Sequence, residues 1–138
     1  MSRMIENRPW GTFEVLFETK YTKVKEIVVF PKQRLSLQYH YHRSEVWTIV
    51  KGDGIVSIPG SSECLRHPSQ IAAHVGKVIE IPQGDFHRIT AGDNGVTFIE
   101  VQLSPSGIFD ESDIVRLEDD YNRSAVDEIR KNQGHPHE

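Results

Sequence analysis

The 138 residues are 37% apolar and 26% charged with a formal net charge of −4, which is enough chain to close one barrel or sandwich and leaves no basic footprint for nucleic acid. The single cysteine, Cys64, excludes an intramolecular disulfide and fits a reducing, cytoplasmic setting. The opening MSRMIENRPWG has no apolar leader core and no window reaches the length of a membrane span, so neither secretion nor insertion is expected.

In chain order, Arg8-Pro9-Trp10-Gly11 reads as a turn before a strand at residues 12–17. The β-branched run from Tyr21 to Phe30 predicts a second strand, stopped by Pro31. Residues 35–41 alternate, with Leu35, Leu37, Tyr39 and Tyr41 on one face and Ser36, Gln38 and His40 on the other, and Arg34 joins the polar face. Val46–Val50 is strand-like, Gly52-Asp53-Gly54 a turn, Ile55–Ile58 a strand, and an irregular polar segment then runs to about Gly76. Val78–Ile81 predicts a short strand, and Pro82-Gln83-Gly84 fits a type I turn with Pro second and Gly fourth. Asp93-Asn94-Gly95 signals a turn ahead of a strand at Val96–Leu103, where Glu100 and Gln102 oppose the apolar face of Ile99, Val101 and Leu103. A helix is expected from Ser124, its N-cap, to about Lys131.

Short strands parted by Gly and Pro turns, with one late helix, predict an all-β barrel or jelly roll in a single domain. The barrel is expected at about residues 8–104, with a C-terminal extension at about 105–138. Within it, Gln38, His40, His42 and Glu45 fall inside eight residues. Imidazole, amide and carboxylate together suit one borderline divalent ion, zinc first, with manganese, iron, cobalt or nickel as further choices.

Gly76, Pro82, Gly84 and His87 match the cupin motif G-x5-P-x-G-x2-H, and Glu45 with Gly52 matches E-x6-G. The chain thus resembles the cupin superfamily, a double-stranded β-helix or jelly-roll barrel. The family's first histidine pair can be placed in two registers. His40 and Glu45 would close a four-residue hairpin loop, Tyr41 to Ser44. His42 and Glu45 would close Arg43-Ser44, which requires positive φ at residues that disfavour it. The first register puts Gln38, His40 and Glu45 inside and His42 at the rim, and the resemblance adds His87 as fourth ligand.

RPWGTFEVL, YTKVKEIVVFP, RLSLQYHYHRSEVW, IEIPQGDFHRI, FIEVQ and DIVRLEDDYNR together are similar to the cupin domain of type II mannose-6-phosphate isomerases, which often follows a guanylyltransferase domain. The resemblance covers nearly all of residues 7–123. It implies isomerisation of mannose 6-phosphate and fructose 6-phosphate at the metal, and no guanylyl transfer, because the nucleotide-binding segment is missing. Arg34 is expected to grip the substrate phosphate, with Arg43 and Arg88 as further candidates, and His42 or Glu100 to carry the proton. Trp10, Trp47, Phe86 and Phe98 are read as core, and the acidic residues of 110–120 as solvated or paired with Arg116 and Arg123. The partners implied are a small sugar phosphate and a second copy of the chain, with neither nucleic acid nor membrane. Departures from the family are Lys32 in place of Gly, Val46 in place of His, Asn122 in place of Gly, and a longer segment at 60–76. A non-catalytic sugar or nucleotide-sugar binding module, or another metal cupin such as an epimerase or dioxygenase, are the alternative readings.

Overall fold

A computed structural model describes residues 4–60, 68–110, 112–121 and 123. It is all-β: β1 (Ile5–Arg8), β2 (Gly11–Glu18), β3 (Thr22–Val29), β4 (Leu37–Tyr39), β5 (Ser44–Ile58), β6 (Ser69–His74), β7 (Val78–Ile81), β8 (Arg88–Leu103) and β9 (Val115–Glu118). A seven-stranded antiparallel sheet runs β1-β2-β3-β8-β5-β6 with β7 also paired to β5, and β4 and β9 form a second, two-stranded sheet. The expected helix from Ser124 to Lys131 lies outside the described residues. Among the described residues, no helix is long and apolar enough to cross a membrane.

Two long strands give the barrel its shape. β5 and β8 pair along most of their length, with breaks in register between Ile49 and Lys51 and between Gly52 and Gly54. The turns expected at Gly52-Asp53-Gly54 and Asp93-Asn94-Gly95 are therefore bulges inside continuous strands, which bend both strands at one level. Gly52 and Gly95 have φ of 76° and 78° there. A Cβ on Gly52 would meet the Gly95 carbonyl oxygen at 2.1 Å, so this approach needs glycine.

Inward residues of β3, β8 and β5 stand in rows fixed by strand register. Val29 lies opposite Val96, Ile27 opposite Phe98, and Lys25 opposite Glu100. On the other side of β8, Ile49 lies opposite Phe98, Trp47 opposite Glu100 and Glu45 opposite Gln102. The rows of Val29, Val96, Phe98 and Ile49 are buried and apolar. Burying such side chains is worth about 1.5–3 kcal/mol each. The next rows carry Lys25, Glu100, Gln102 and Glu45, also buried. One end of the barrel is thus a core, the other a lined recess.

Three strands escape a sequence reading: β1, β6 and β9. Each is short, polar or at an edge, so partner strands rather than side-chain pattern decide it. The turn before His87 is set one residue later than expected. The Asp85 amide donates to the Pro82 carbonyl at 3.1 Å, which puts Gly84, with φ 86°, at the third position, where a type II turn needs positive φ.

Candidate metal centre and cavity

Three buried side chains meet at the polar end: His40, Glu45 and His87 offer ligand atoms all within 4.8 Å of one another. His40 Nε2 lies 3.4 Å from Glu45 Oε2, and His87 Nε2 lies 3.7 Å from Glu45 Oε1. Glu45 comes from the inward row of β5. His87 is placed by paired backbone bonds with Gln38, 3.1 and 2.8 Å long, and the Gly84 amide donates to the His40 carbonyl at 3.0 Å. The loops carrying the two histidines therefore fix each other.

Each imidazole is oriented through its other nitrogen. His40 Nδ1 donates to the Asp113 carbonyl at 2.6 Å and His87 Nδ1 to the Asp85 carbonyl at 3.0 Å, leaving both Nε2 lone pairs facing Glu45. That is how metal-ligating histidines are held. His87 Nε2 is buried without a hydrogen-bond partner, an orphan acceptor that a cation would satisfy. Burial, helped by the neighbouring Arg43, lowers His40 to about 4, and burial lowers His87 as well. Both are then neutral, the form that binds metal. Burial disfavours ionised Glu45, but its surroundings, with the Arg43 guanidinium the one permanent charge among them, outweigh it and hold the carboxyl below its usual range. Two neutral imidazoles and a carboxylate fit a divalent cation.

Beside this group, with His40 in its wall, lies a cavity of about 100 Å³. Its wall includes Trp10, Phe13, Gln38, Glu100 and Gln102 with five cations, Arg8, Lys25, Arg43, Arg116 and Arg123. Lys25 Nζ and the Arg8 guanidinium lie 4.2 and 4.8 Å from the Phe13 ring centre. Glu100 is buried. Burial and the adjacent Glu45 charge raise it to about 8, and Gln102 Nε2 donates to its Oε1.

Of the residues singled out from sequence, Gln38, His40, Glu45, His87 and Glu100 come together, while Arg34 and His42 do not. Gln38 Nε2 is 3.2 Å from His40 Nε2, and its Oε1 accepts from Ser36 at 2.6 Å. His42 is exposed, its amide donating to the Asp113 carboxylate at 3.0 Å. The hairpin used to place these residues is absent, since β4 pairs with β9. Arg34 does not reach the cavity. It makes two 2.7 Å bonds to Asp120. The cause is one surplus residue: Leu35 and Gln38 donate to Ile89 and His87, three positions apart on one side and two on the other. Such a bulge reverses the alternation, turning Leu35 toward the cavity and Arg34 away. Arg88 instead braces Leu35 and Glu118, donating to the Leu35 carbonyl at 2.9 Å and to the Glu118 carboxylate at 3.0 Å. The acidic stretch divides likewise: Asp113 is buried and Asp119 pairs with Arg123.

Asp113, Lys25 and Arg8 are the site residues a sequence reading misses. For Lys25 a signal exists, because it shares strand parity with Ile27 and Val29 and so points inward with them.

The family described as "Mannose-6-phosphate isomerase C-terminal" matches residues 2–119. The chain belongs to this family. The mannose-1-phosphate guanylyltransferase ManC of Salmonella typhimurium is 36% identical over 118 residues, 84% of this chain and 22% of that protein. The alginate biosynthesis protein AlgA of Pseudomonas aeruginosa is 37% identical over 120 residues, 86% of this chain and 23% of that one. The chain thus spans less than a quarter of the length of these curated relatives. Among solved structures, the capsular polysaccharide assembling protein CapF of Staphylococcus aureus superposes with TM-score 0.72 at 19% identity, over 86% of this chain and 32% of CapF. Oxalate decarboxylase of Bacillus subtilis gives 0.72 at 18%, over 96% of this chain and 34% of that chain. These likenesses establish the cupin jelly roll.

They also correct the expected activity. These curated relatives are named for guanylyl transfer or alginate biosynthesis, not for isomerisation. The mannose-6-phosphate isomerase reading, with Arg34, His42 and Glu100 as its catalytic residues, is therefore withdrawn in favour of the binding-module alternative.

Proposed function

We propose that this chain is a ligand-binding cupin of nucleotide-sugar biosynthesis that receives a sugar phosphate or nucleotide sugar in its cavity and holds one divalent cation, zinc by first choice, at His40, Glu45 and His87. The observation that carries this reading is the charge of the wall. Five cations line the cavity with one acidic side chain, the largely protonated Glu100, in a chain whose net charge is −4. Arg8, Arg43 and Arg123 among them also pair with Glu6, Glu45 and Asp119. Cations gathered in a recess concentrate an anionic ligand, and guanidinium forks suit phosphate oxygens. Trp10 and Phe13 offer the apolar surface against which a sugar ring packs. The names of the relatives supply mannose 1-phosphate as the first ligand to try. A bound ion would supply a Lewis-acid contact for a ligand oxygen.

Calorimetric titration of the zinc-loaded protein with mannose 1-phosphate and with mannose tests the reading. The phosphate ester is expected to bind and free mannose to bind roughly tenfold more weakly or worse, a loss of one charge-assisted contact or more. Lys25→Met is expected to weaken the ester, while Arg34→Ala leaves it unchanged. Equal affinity for ester and sugar, or no binding of either, would overturn the proposal.

A further inference from the structure

Arg43 lies on the very atoms that would hold the cation. Its Nε donates to Glu45 Oε2 at 2.9 Å, and its Nη2 stands 3.1 Å from His40 Nε2. Because His40 Nδ1 is committed to the Asp113 carbonyl, the lone pair facing Arg43 is the same one a metal requires. The contact is interior, with side chains 10% exposed at Arg43 and 1% at Glu45. Glu45 Oε1 is already taken by the Trp47 indole N–H at 2.9 Å, so Oε2, the oxygen Arg43 holds, is the more open one.

We propose that Arg43 and a divalent cation are mutually exclusive occupants of this donor group, with arginine as the built-in counter-charge of the metal-free protein. The inference rests on the reading of His40, Glu45 and His87 as a metal centre. A carboxylate as deeply buried as Glu45 needs a partner in every state of the protein. A guanidinium and a dication on the same carboxylate oxygen and imidazole would bring three positive charges within a few ångströms, at a repulsion that low local dielectric magnifies. Arg43 also lines the cavity, so a guanidinium leaving the donors has an adjacent space with polar walls. His87 Nε2, which accepts no hydrogen bond, is the donor an incoming ion meets without first displacing anything. The fold then needs no metal to form, and metal affinity is lowered by the contacts that must break.

The test is zinc titration of metal-free wild type, Arg43→Gln and Arg43→Lys, followed by calorimetry and by the emission of Trp47, whose indole bonds to Glu45. Arg43→Gln is expected to bind zinc roughly tenfold more tightly than wild type, the equivalent of one charge-assisted bond no longer broken, and Arg43→Lys to fall between them. Metal-free Arg43→Gln should unfold at lower urea than wild type, and zinc should restore it. Should Arg43→Gln not fold, Arg43→Lys carries the comparison with the same expected direction. Unchanged or weaker zinc binding in the variants would overturn the proposal while leaving the metal centre standing. Zinc binding by none of the proteins, or binding that survives His87→Ala, would remove the metal centre and this inference together.

Discussion

Asp113 holds His40 from two directions. Its backbone carbonyl accepts the His40 Nδ1 proton at 2.6 Å, and its carboxylate accepts the amides of Tyr41 and His42 at 2.8 and 3.0 Å. Asp113→Ala leaves the carbonyl in place but frees both the loop and the segment that carries that carbonyl. The expected cost is about 2–3 kcal/mol of stability, read by urea unfolding, with zinc affinity reduced about tenfold or more. Wild-type zinc affinity in this variant would mean that the imidazole is oriented by something else.

Gln38 and His42 flank His40 in sequence but differ in place. Gln38 lines the cavity and lies 3.2 Å from His40 Nε2, whereas His42 is exposed. Once the Gln38 amide turns to present Oε1 to the ion it adds one neutral ligand, so Gln38→Ala is expected to weaken zinc binding several-fold, and His42→Ala to leave it unchanged. The opposite ranking in a zinc titration would place the wrong residue in the centre.

Lys32 occupies a left-handed conformation with φ 64°. Its turn is closed by the Gln33 amide donating to the Phe30 carbonyl at 3.0 Å, with Pro31 in second place and Lys32 in the third position that requires positive φ. Relief of that strain exceeds the extra chain entropy of glycine. Lys32→Gly should stabilise the protein by about 0.5–1 kcal/mol, seen as a higher urea midpoint with unchanged slope. A lower midpoint would contradict it.

Asp119 closes the cavity wall by accepting the amides of Tyr121 and Arg123 and the Arg123 guanidinium. Burial opposes its ionisation, but the Arg123 bonds and charge outweigh burial and lower it from 3.8. The folded protein therefore releases this proton more readily than the unfolded chain. The resulting stabilisation is complete above the unfolded value and is lost as pH falls through the folded one. In Asp119→Asn the decline of unfolding free energy below about pH 4 should be shallower than in wild type. An identical acid limb would show that Asp119 does not contribute to it.

Part of the site could be read from the sequence because Glu45, Glu100 and Gln102 stand on regular strand alternation, while His87 follows from the spacing of the Pro82-Gly84 turn. Tyr21–Phe30 and Val78–Ile81 are rich in β-branched residues, and β3 and β7 fall there within a residue. Glu100 and Gln102 face inward as strand parity requires. What parity cannot show is a bulge set by the opposing strand: the surplus residue between Leu35 and Gln38 exists only in relation to His87 and Ile89, and it moves Arg34 out of the site. Nor can local pattern show that β4 pairs with β9, so a hairpin argument placed His40 and Glu45 on one side by a route the chain does not take. Asp113 was hidden for the same reason, inside an acidic run that reads as solvent-facing.

The bond from Asp113 to His40 spans 73 positions in sequence, and the β4–β9 sheet spans more. The β3–β8 ladder spans as much, so loop closure does not set these contacts apart; they are last because both need a segment that follows β8 in the chain. During synthesis, strands β1 to β3 and β5 to β8 can pair before residue 113 has left the ribosome, with His40 and His87 already on the chain and the His40 ring still free to turn. The metal centre is thus an event at the end of folding rather than a nucleus for it, and in a growing chain the imidazoles remain loose ligands until β9 docks.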